Sequence, residues 1–489
     1  MHDVETYAII VLIAALALLA AVGSSRVSSR IGIPAPAIFL VAASAAADLF
    51  PSLGSLSIMA DQRIVTIALI VILFDGGMHI GWRRFRATAG AITWIGVAGT
   101  FVTAGGLALA AHGLFDFSWR TALLIGTALA PTDPAVVFSV LGRREVSGRS
   151  GTLLEGESGA NDPVGIALMI SILGTSGAGW SAVGQGVGEF ALQMAVGVAF
   201  GLAGSYALLW LMRRVPMPSD ALYAVRTIAF ALLVYGAATA CHGSGFLAVF
   251  LTGIGVGDAR APYKREIERF VGATSSLGEI VAFTVLGLSI PISDAVGHGR
   301  AWTGIGIAAL MILVIRPLLV GALLVPIRLR LGERAFVLWS GLKGAVPILL
   351  GTYVLSEHVA GASRVYGVIF IVVLISVIVQ GGLVPTLGRL WHVPMRVVEP
   401  EPWALGMRFR DEPEGLRRFV VQAGSVADGC TIGDLPLGED VWISMVSRRG
   451  RLLHVSGDTT LEPGDEVLAL VGSDGDGRDD TDPARTFSR

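Results

Sequence analysis

Charge is scarce in this chain. Asp, Glu, Lys and Arg make up 15% of its 489 residues, against a hydrophobic share of 53%. Soluble domains carry about 25% charge, so a water-soluble body for the bulk of the chain is excluded. Cysteine is nearly missing too, with Cys241 and Cys430 alone, which rules out a disulfide framework. A net charge of −2 without a basic tail or aromatic-basic run gives nucleic acid no footing. No Thr-Val-Gly-Tyr-Gly-like filter occurs, so a regulated potassium channel is a remote alternative. The first apolar run, Tyr7 to Val22, lacks the basic start and small-residue cleavage pattern of a signal peptide. It reads as a retained first span.

What the chain has is long apolar runs. Stretches of about 17–25 apolar residues are long enough to cross a bilayer. They fall near 6–22, 33–49, 64–81, 88–112, 119–141, 151–173, 186–212, 220–240, 243–257, 271–290, 301–326, 334–356 and 365–388, about thirteen in all. Gly 63 fits close helix packing in lipid. Alternate connections carry nineteen basic residues between Arg26 and Arg396, while the opposite ones hold Arg63, Arg120, Arg300 and Arg364. The positive-inside rule puts the rich side in the cytoplasm, the N-terminus outside and the C-terminus inside. Taking the seventh span as a linker leaves two six-helix repeats of opposite topology. Helix five, with Thr132-Asp133-Pro134, then matches helix twelve, with Gly341-Leu342-Lys343-Gly344-Ala345-Val346-Pro347. Matched interruptions of this kind point to a midplane binding site.

Polar groups inside these spans are costly and mark ion or proton pathways. Gly156-Glu157-Ser158-Gly159-Ala160-Asn161-Asp162-Pro163 is the densest such cluster. Two mid-membrane Asp-Pro breaks, at 133–134 and 162–163, suggest a transporter. Asp162 is the prime candidate for holding a proton or a cation, because a bare carboxylate in low dielectric needs one or the other. The bland reading of both aspartates is an N-cap before an N1 proline. Thr132 and Ser158 offer hydroxyls. Glu157 is read as an ion-pair partner for Arg316 or Lys343, and Lys343 as a counter-charge to half-helix ends. Asp75 is a funnel or secondary carboxylate, Glu279 a further intramembrane one, and Asp258 a solvated helix end.

After Glu399 the composition turns charged. A linker over 393–408 leads to a small α/β domain over 409–473, with strands at Phe419, Val441 and Val467 and a turn at Glu462-Pro-Gly-Asp465. Its size suggests pairing with a copy of itself. Residues 474–489, rich in Gly, Asp and Arg, read as disordered.

These motifs together resemble the NhaP/NHE-type monovalent cation:proton antiporters, nearest the bacterial potassium/proton branch. The resemblance is carried by Phe74-Asp75-Gly76-Gly77, Thr132-Asp133-Pro134, the Glu157–Pro163 run and Gly341–Pro347, over residues 5–392. The tail resembles the TrkA-C (RCK-C) domain through Gly429–Leu435 and Leu461–Asp465. What the resemblance implies is an all-α polytopic antiporter with crossed, unwound helices five and twelve, an inverted repeat, and a homodimer moving as an elevator in the bacterial inner membrane. It makes Asp162 the proton or cation ligand, with Asp133, Thr132 and Ser158 as neighbouring ligands and Asn161 in the adjacent motif position. An Asn-Asp pair implies electroneutral exchange of K⁺, or Na⁺ as the alternative, for H⁺. Glu157 and a basic partner are implied to hold the core together. No cofactor is expected, beyond a nucleotide regulator such as cyclic di-AMP at the tail. An intramembrane aspartyl protease is a remote rival: Gly255-Val256-Gly257-Asp258 fits part of its pattern, but its Pro-Ala-Leu motif is absent. The chain is therefore read as no enzyme.

Overall fold

The structure is a computed structural model describing residues 33–50, 57–141, 144–175, 180–259, 261–297, 300–397, 416–437, 441–448, 451–471 and 486–487, with isolated positions 12, 15, 19 and 23. The expected first span therefore lies almost wholly outside the described residues, as does most of the expected linker. Two compact units are present, 1–400 and 401–489.

The first unit is helical: α1 Ala35–Leu49, α2 Ile58–Thr93, α3 Gly99–Phe115, α4 Trp119–Ala128, α5 Pro134–Leu141, α6 Arg149–Gly174 and α7 Trp180–Arg214. It continues with α8 Asp220–Ala240, α9 Gly245–Gly257, α10 Lys264–Leu288, α11 Arg300–Leu310, α12 Leu331–Trp339, α13 Ala345–Ser356, α14 Ala362–Ile375 and α15 Gly381–Leu390. Serines start several of them by accepting a first-turn N–H, Ser57 from Ala60, Ser118 from Thr121 and Ser244 from Leu247. Among the described residues, six helical segments are long and apolar enough to cross a membrane. Three shorter apolar helices, α1, α9 and α13, accompany them.

One of the six is a single helical run, Ile58–Phe115, covering both spans expected at 64–81 and 88–112. It is not straight, because Gly81 sits at φ 66°, ψ 163° inside it. Only glycine takes such a backbone at little cost. The restart is capped from another helix: Asp258, at the end of α9, accepts from the Arg83 N–H at 2.5 Å. Asp258 is thus an exposed N-cap for the second half of α2 rather than a bare solvated end.

Among the described residues, three π-helical stretches interrupt the helices, at Trp94–Ala98, Met311–Val320 and Ser376–Gln380. The second contains Pro317, which has no N–H to give and crowds the preceding turn. A widened turn absorbs that defect. The break expected at Asp162-Pro163 is not there, since α6 runs unbroken from Arg149 to Gly174 with Pro163 inside it. Asp162 is an interior helical residue and not an N-cap. Beyond α5, strand β1 Arg144–Val146 pairs antiparallel with β2 Met395–Val397, tying the α5–α6 connection to the chain leaving α15.

The second unit is a four-stranded antiparallel sheet, ordered β3 Leu416–Val420, β6 Glu466–Val471, β4 Val441–Arg448 and β5 Arg451–Leu453. Its core gathers Val421, Leu435, Val446, Leu461 and Val467. Phe487 belongs to that core, stacked 4.9 Å from Phe419, and its carbonyl accepts from Gln422 N–H at 3.0 Å. This corrects the expectation of a disordered end at Thr486 and Phe487: an aromatic ring there buries enough apolar area to hold the chain.

The Glu462-Pro-Gly-Asp465 turn is closed electrostatically. Buried Asp465 receives both forks of Arg448 at 2.8 Å and the Glu462 N–H at 2.9 Å. Burial works against the charge, but these donors outweigh it and hold the carboxyl below its ordinary value. A carboxyl depressed in the folded state stabilises above its unfolded pKa, and that contribution fades as pH falls through the folded one. In the full-length protein, hydrogen exchange at β4 and β6 should therefore accelerate on acidification below about pH 4. Arg448→Ala should accelerate it already at neutral pH, and unchanged exchange in that variant would disprove the anchoring role.

Candidate ion site

The site is built where two helices stop. Helix α4 ends at Ala128 and α5 starts at Pro134; α12 ends at Trp339 and α13 starts at Ala345. The two non-helical links touch, with Asp133 N–H donating to the Leu342 carbonyl at 2.8 Å. At Gly344 a Cβ would overlap the Asp133 carboxylate, so only glycine permits this approach.

Each stopped helix leaves carbonyls without intrahelical partners. Lys343, 0% exposed, donates its Nζ to the carbonyls of Ala130 and Pro131 at 3.0 and 2.9 Å, beyond the end of α4. Arg316 does the same for α12: Nε reaches the Leu338 carbonyl at 2.8 Å and a terminal nitrogen that of Val337 at 3.3 Å. Cations at helix C-termini also complement the helix dipole. Arg316 then closes on Glu157 at 2.9 Å, with both side chains buried. Of the two cations considered for Glu157, Arg316 is the one paired with it.

Helix α6 presents two adjacent faces, because residues four apart align. Glu157 and Asn161 lie on one. Asn161 reads both ends of Thr132, donating to its hydroxyl at 2.7 Å and accepting from its N–H at 3.2 Å. Ser158 and Asp162 lie on the other. Asp162 is buried, 7% exposed, and makes no hydrogen bond among the described residues. It is within electrostatic reach of Asp133 and Lys343. Asp133 itself accepts from the Ala135 N–H at 2.9 Å and so caps α5. The α4–α5 link and the facing stretch of α6 thus bring carboxylate and hydroxyl oxygens into one region, and oxygen is the ligand type that hard cations take.

Two expected residues stand differently. Asp75 on α2 pairs with His79 at 3.3 Å rather than with any site residue. Glu279 on α10 has a buried Oε1 without a hydrogen bond and feels the charge of Asp133. Sequence reasoning missed Ser376 and Gln380. Ser376 Oγ accepts from Lys343 N–H at 3.0 Å and donates to Gln380 Oε1 at 2.8 Å. Gln380 in turn donates to the Trp339 carbonyl and accepts the Trp339 indole N–H at 2.9 Å. The signal was two polar residues four apart within the apolar 365–388 span.

A sodium/hydrogen exchanger transmembrane family model matches residues 13–390, and a TrkA-C domain model matches 416–475. The chain belongs to the sodium/hydrogen exchanger family. It is a transporter of this family and not an enzyme. The K(+)/H(+) antiporter NhaP2 of Shewanella sp. strain MR-4 is 33% identical over 94% of this chain and 80% of the relative. NhaP of Alkalimonas amylolytica, also a K(+)/H(+) antiporter, is 32% identical over 79% of this chain and 67% of the relative. The Na(+)/H(+) antiporter NhaH of Halobacillus dabanensis is 30% identical over 65% of this chain and 80% of the relative. In fold, the chain is similar to the sodium proton antiporter MjNhaP1 of Methanocaldococcus jannaschii. The TM-score is 0.64 at 20% identity, over 75% of this chain and 97% of that one.

Removing Arg316 would strand Glu157 as a buried, unpaired charge, which typically costs about 3–5 kcal/mol. Arg316→Met should therefore lower the thermal midpoint of the purified protein substantially. Glu157→Gln added to it should restore part of that loss. Additive losses in the double variant would contradict the pairing.

Proposed function

We propose that the chain is a secondary antiporter exchanging a monovalent cation, K⁺ in preference to Na⁺, for H⁺ at Asp162. One observation carries this reading: Asp162 is buried, within electrostatic reach of Asp133 and Lys343 where the two links meet, and has no hydrogen-bond partner among the described residues. A carboxylate in such surroundings is not left bare; it takes a proton or a cation. Since one group cannot hold both, each arriving cation displaces a proton and each arriving proton a cation. That competition couples the two flows. Thr132, Ser158 and Asp133 supply neighbouring oxygens for the cation, and Asn161 positions Thr132.

The exchange is electroneutral on this reading. Asn161 carries no charge, and Asp133 is engaged as a cap, so one carboxylate does the exchanging. The preference for K⁺ rests on the relatives named K(+)/H(+) antiporters; the NhaH and MjNhaP1 names favour Na⁺ as the second reading. The remaining architecture follows as part of the same proposal: about thirteen spans in two inverted repeats over 1–392, alternating access by an elevator movement, and a homodimer. In the bacterial inner membrane the N-terminus faces outside, and a regulatory tail over 409–473 lies in the cytoplasm. A nucleotide is the class of regulator the TrkA-C domain suggests.

The test is cation-induced collapse of an imposed ΔpH in proteoliposomes, comparing K⁺, Na⁺, Li⁺ and choline. Proton efflux with K⁺ or Na⁺ is expected, and Asp162→Asn, folded and correctly inserted, should reduce it to background. Wild-type rates in that variant would remove Asp162 from the role. Two further outcomes follow from competition at one carboxylate. The cation concentration giving half-maximal rate should rise as pH is lowered, and the rate should not respond to an imposed membrane potential. A rate that follows the potential would rule out one-for-one exchange.

A further inference from the structure

An open cleft of about 410 Å³ is lined by Arg149, Arg328, Pro326, Gly90 and Trp94. A second groove, about 760 Å³, shares Gly90 and Trp94 and continues along Val97 and Phe101. These last four residues repeat at helical spacing on the α2–α3 run, so the groove follows one helix face. Trp94 and Phe101 remain 48% and 42% exposed on it. The Trp94 indole N–H is already donated to the Leu323 carbonyl at 3.2 Å, so the ring presents its apolar surface to the groove. Arg149 and Arg328 are both exposed, and neither makes a hydrogen bond or ion pair among the described residues.

We propose that this composite cleft binds one anionic phospholipid, with its phosphate between Arg149 and Arg328 and an acyl chain along Trp94, Val97 and Phe101. Two guanidiniums lining one cleft without acidic partners repel each other and favour an anion between them. Guanidinium matches phosphate oxygens in a planar, two-pronged geometry. A soluble anion would use only the charged end. The adjoining groove is apolar, belongs to a helix long enough to span the bilayer, and would stay unfilled. A lipid satisfies both halves, with its charged head at the arginine-rich face and its tail in the hydrocarbon. Arg149 is also the first residue of α6, which carries Glu157 and Asp162, and Arg328 follows the helical segment containing Arg316. The lipid phosphate thereby adds a second link between two segments that the Glu157–Arg316 pair already joins.

The test is native mass spectrometry of the full-length protein titrated with phosphatidylglycerol or phosphatidylcholine. The wild type should retain phosphatidylglycerol in preference. Arg149→Gln with Arg328→Gln should weaken that binding about 30-fold, taking about 1 kcal/mol for each basic residue near the surface. Phosphatidylcholine binding should not change. Gly90→Leu keeps both arginines but fills the cleft, since a Cβ there meets open space; it too should weaken phosphatidylglycerol binding. Equal affinity in the wild type and the double arginine variant would overturn the proposal. So would undiminished binding in Gly90→Leu, or full displacement of the lipid by millimolar inorganic phosphate, which would assign the site to a soluble anion.

Discussion

A helix that stops inside a membrane exposes carbonyl oxygens where no water can reach them, and each unsatisfied group costs several kcal/mol. The centre of this molecule is organised around that constraint. Lys343 takes the carbonyls of Ala130 and Pro131, and Arg316 takes those of Val337 and Leu338. Each cation crosses from another segment to do so, which locks the segments together. A buried cation is itself costly unless compensated. Glu157 provides the compensation for Arg316, while Lys343 relies on its carbonyl oxygens and nearby carboxylates. The polar centre therefore cannot be dismantled one residue at a time.

The second consequence is geometric. Because the two links meet, Asp133 and Leu342 share a backbone hydrogen bond, and Ser376 and Gln380 brace the far side through Lys343 N–H and Trp339. Hydrogen-bonded networks of this kind are rigid when complete. Helix α6 lies against this frame with Asn161 engaged and Asp162 unengaged. The Asp162 carboxylate thus lies beside a frame held by the hydrogen bonds of Lys343, Asp133 and Asn161.

Much of this was legible in the sequence, for a physical reason. Polar residues are so costly in lipid that Thr132, Asp133, Glu157, Asn161, Asp162, Arg316 and Lys343 stand out against their apolar surroundings. Less legible was how they pair, because hydropathy carries no information on which buried cation meets which acid. The choice of Arg316 for Glu157 needed coordinates. Asp162-Pro163 misled for a local reason: Asp-Pro is a helix start in water, yet a proline inside a packed helix is tolerated when neighbours satisfy the freed carbonyl. Asp258 was invisible as a cap because its N–H partner at Arg83 is 175 residues away. Phe487 was lost in a polar tail whose composition outweighed one aromatic ring. For Asp258 and Phe487 a single long-range contact overrode a sound local expectation.

On the exchange reading, the contrast between Asp133 and Asp162 explains why two acids so close together need not carry two charges. Asp133 spends one oxygen on the Ala135 N–H, and its own N–H and neighbouring carbonyls are bound by Leu342 and Lys343. Moving that oxygen to a proton or a cation would uncap α5, so Asp133 offers the cation only its other oxygen. Asp162 can change occupant without breaking any side-chain hydrogen bond found among the described residues. Asn161 keeps the adjacent position neutral while holding Thr132 in reach. A second carboxylate at that position would add a charge beside Asp162 and force either a second cation or a permanent proton there. On that reading the amide at Asn161 limits the site to one exchangeable charge, and the capping duty of Asp133 keeps that charge on Asp162.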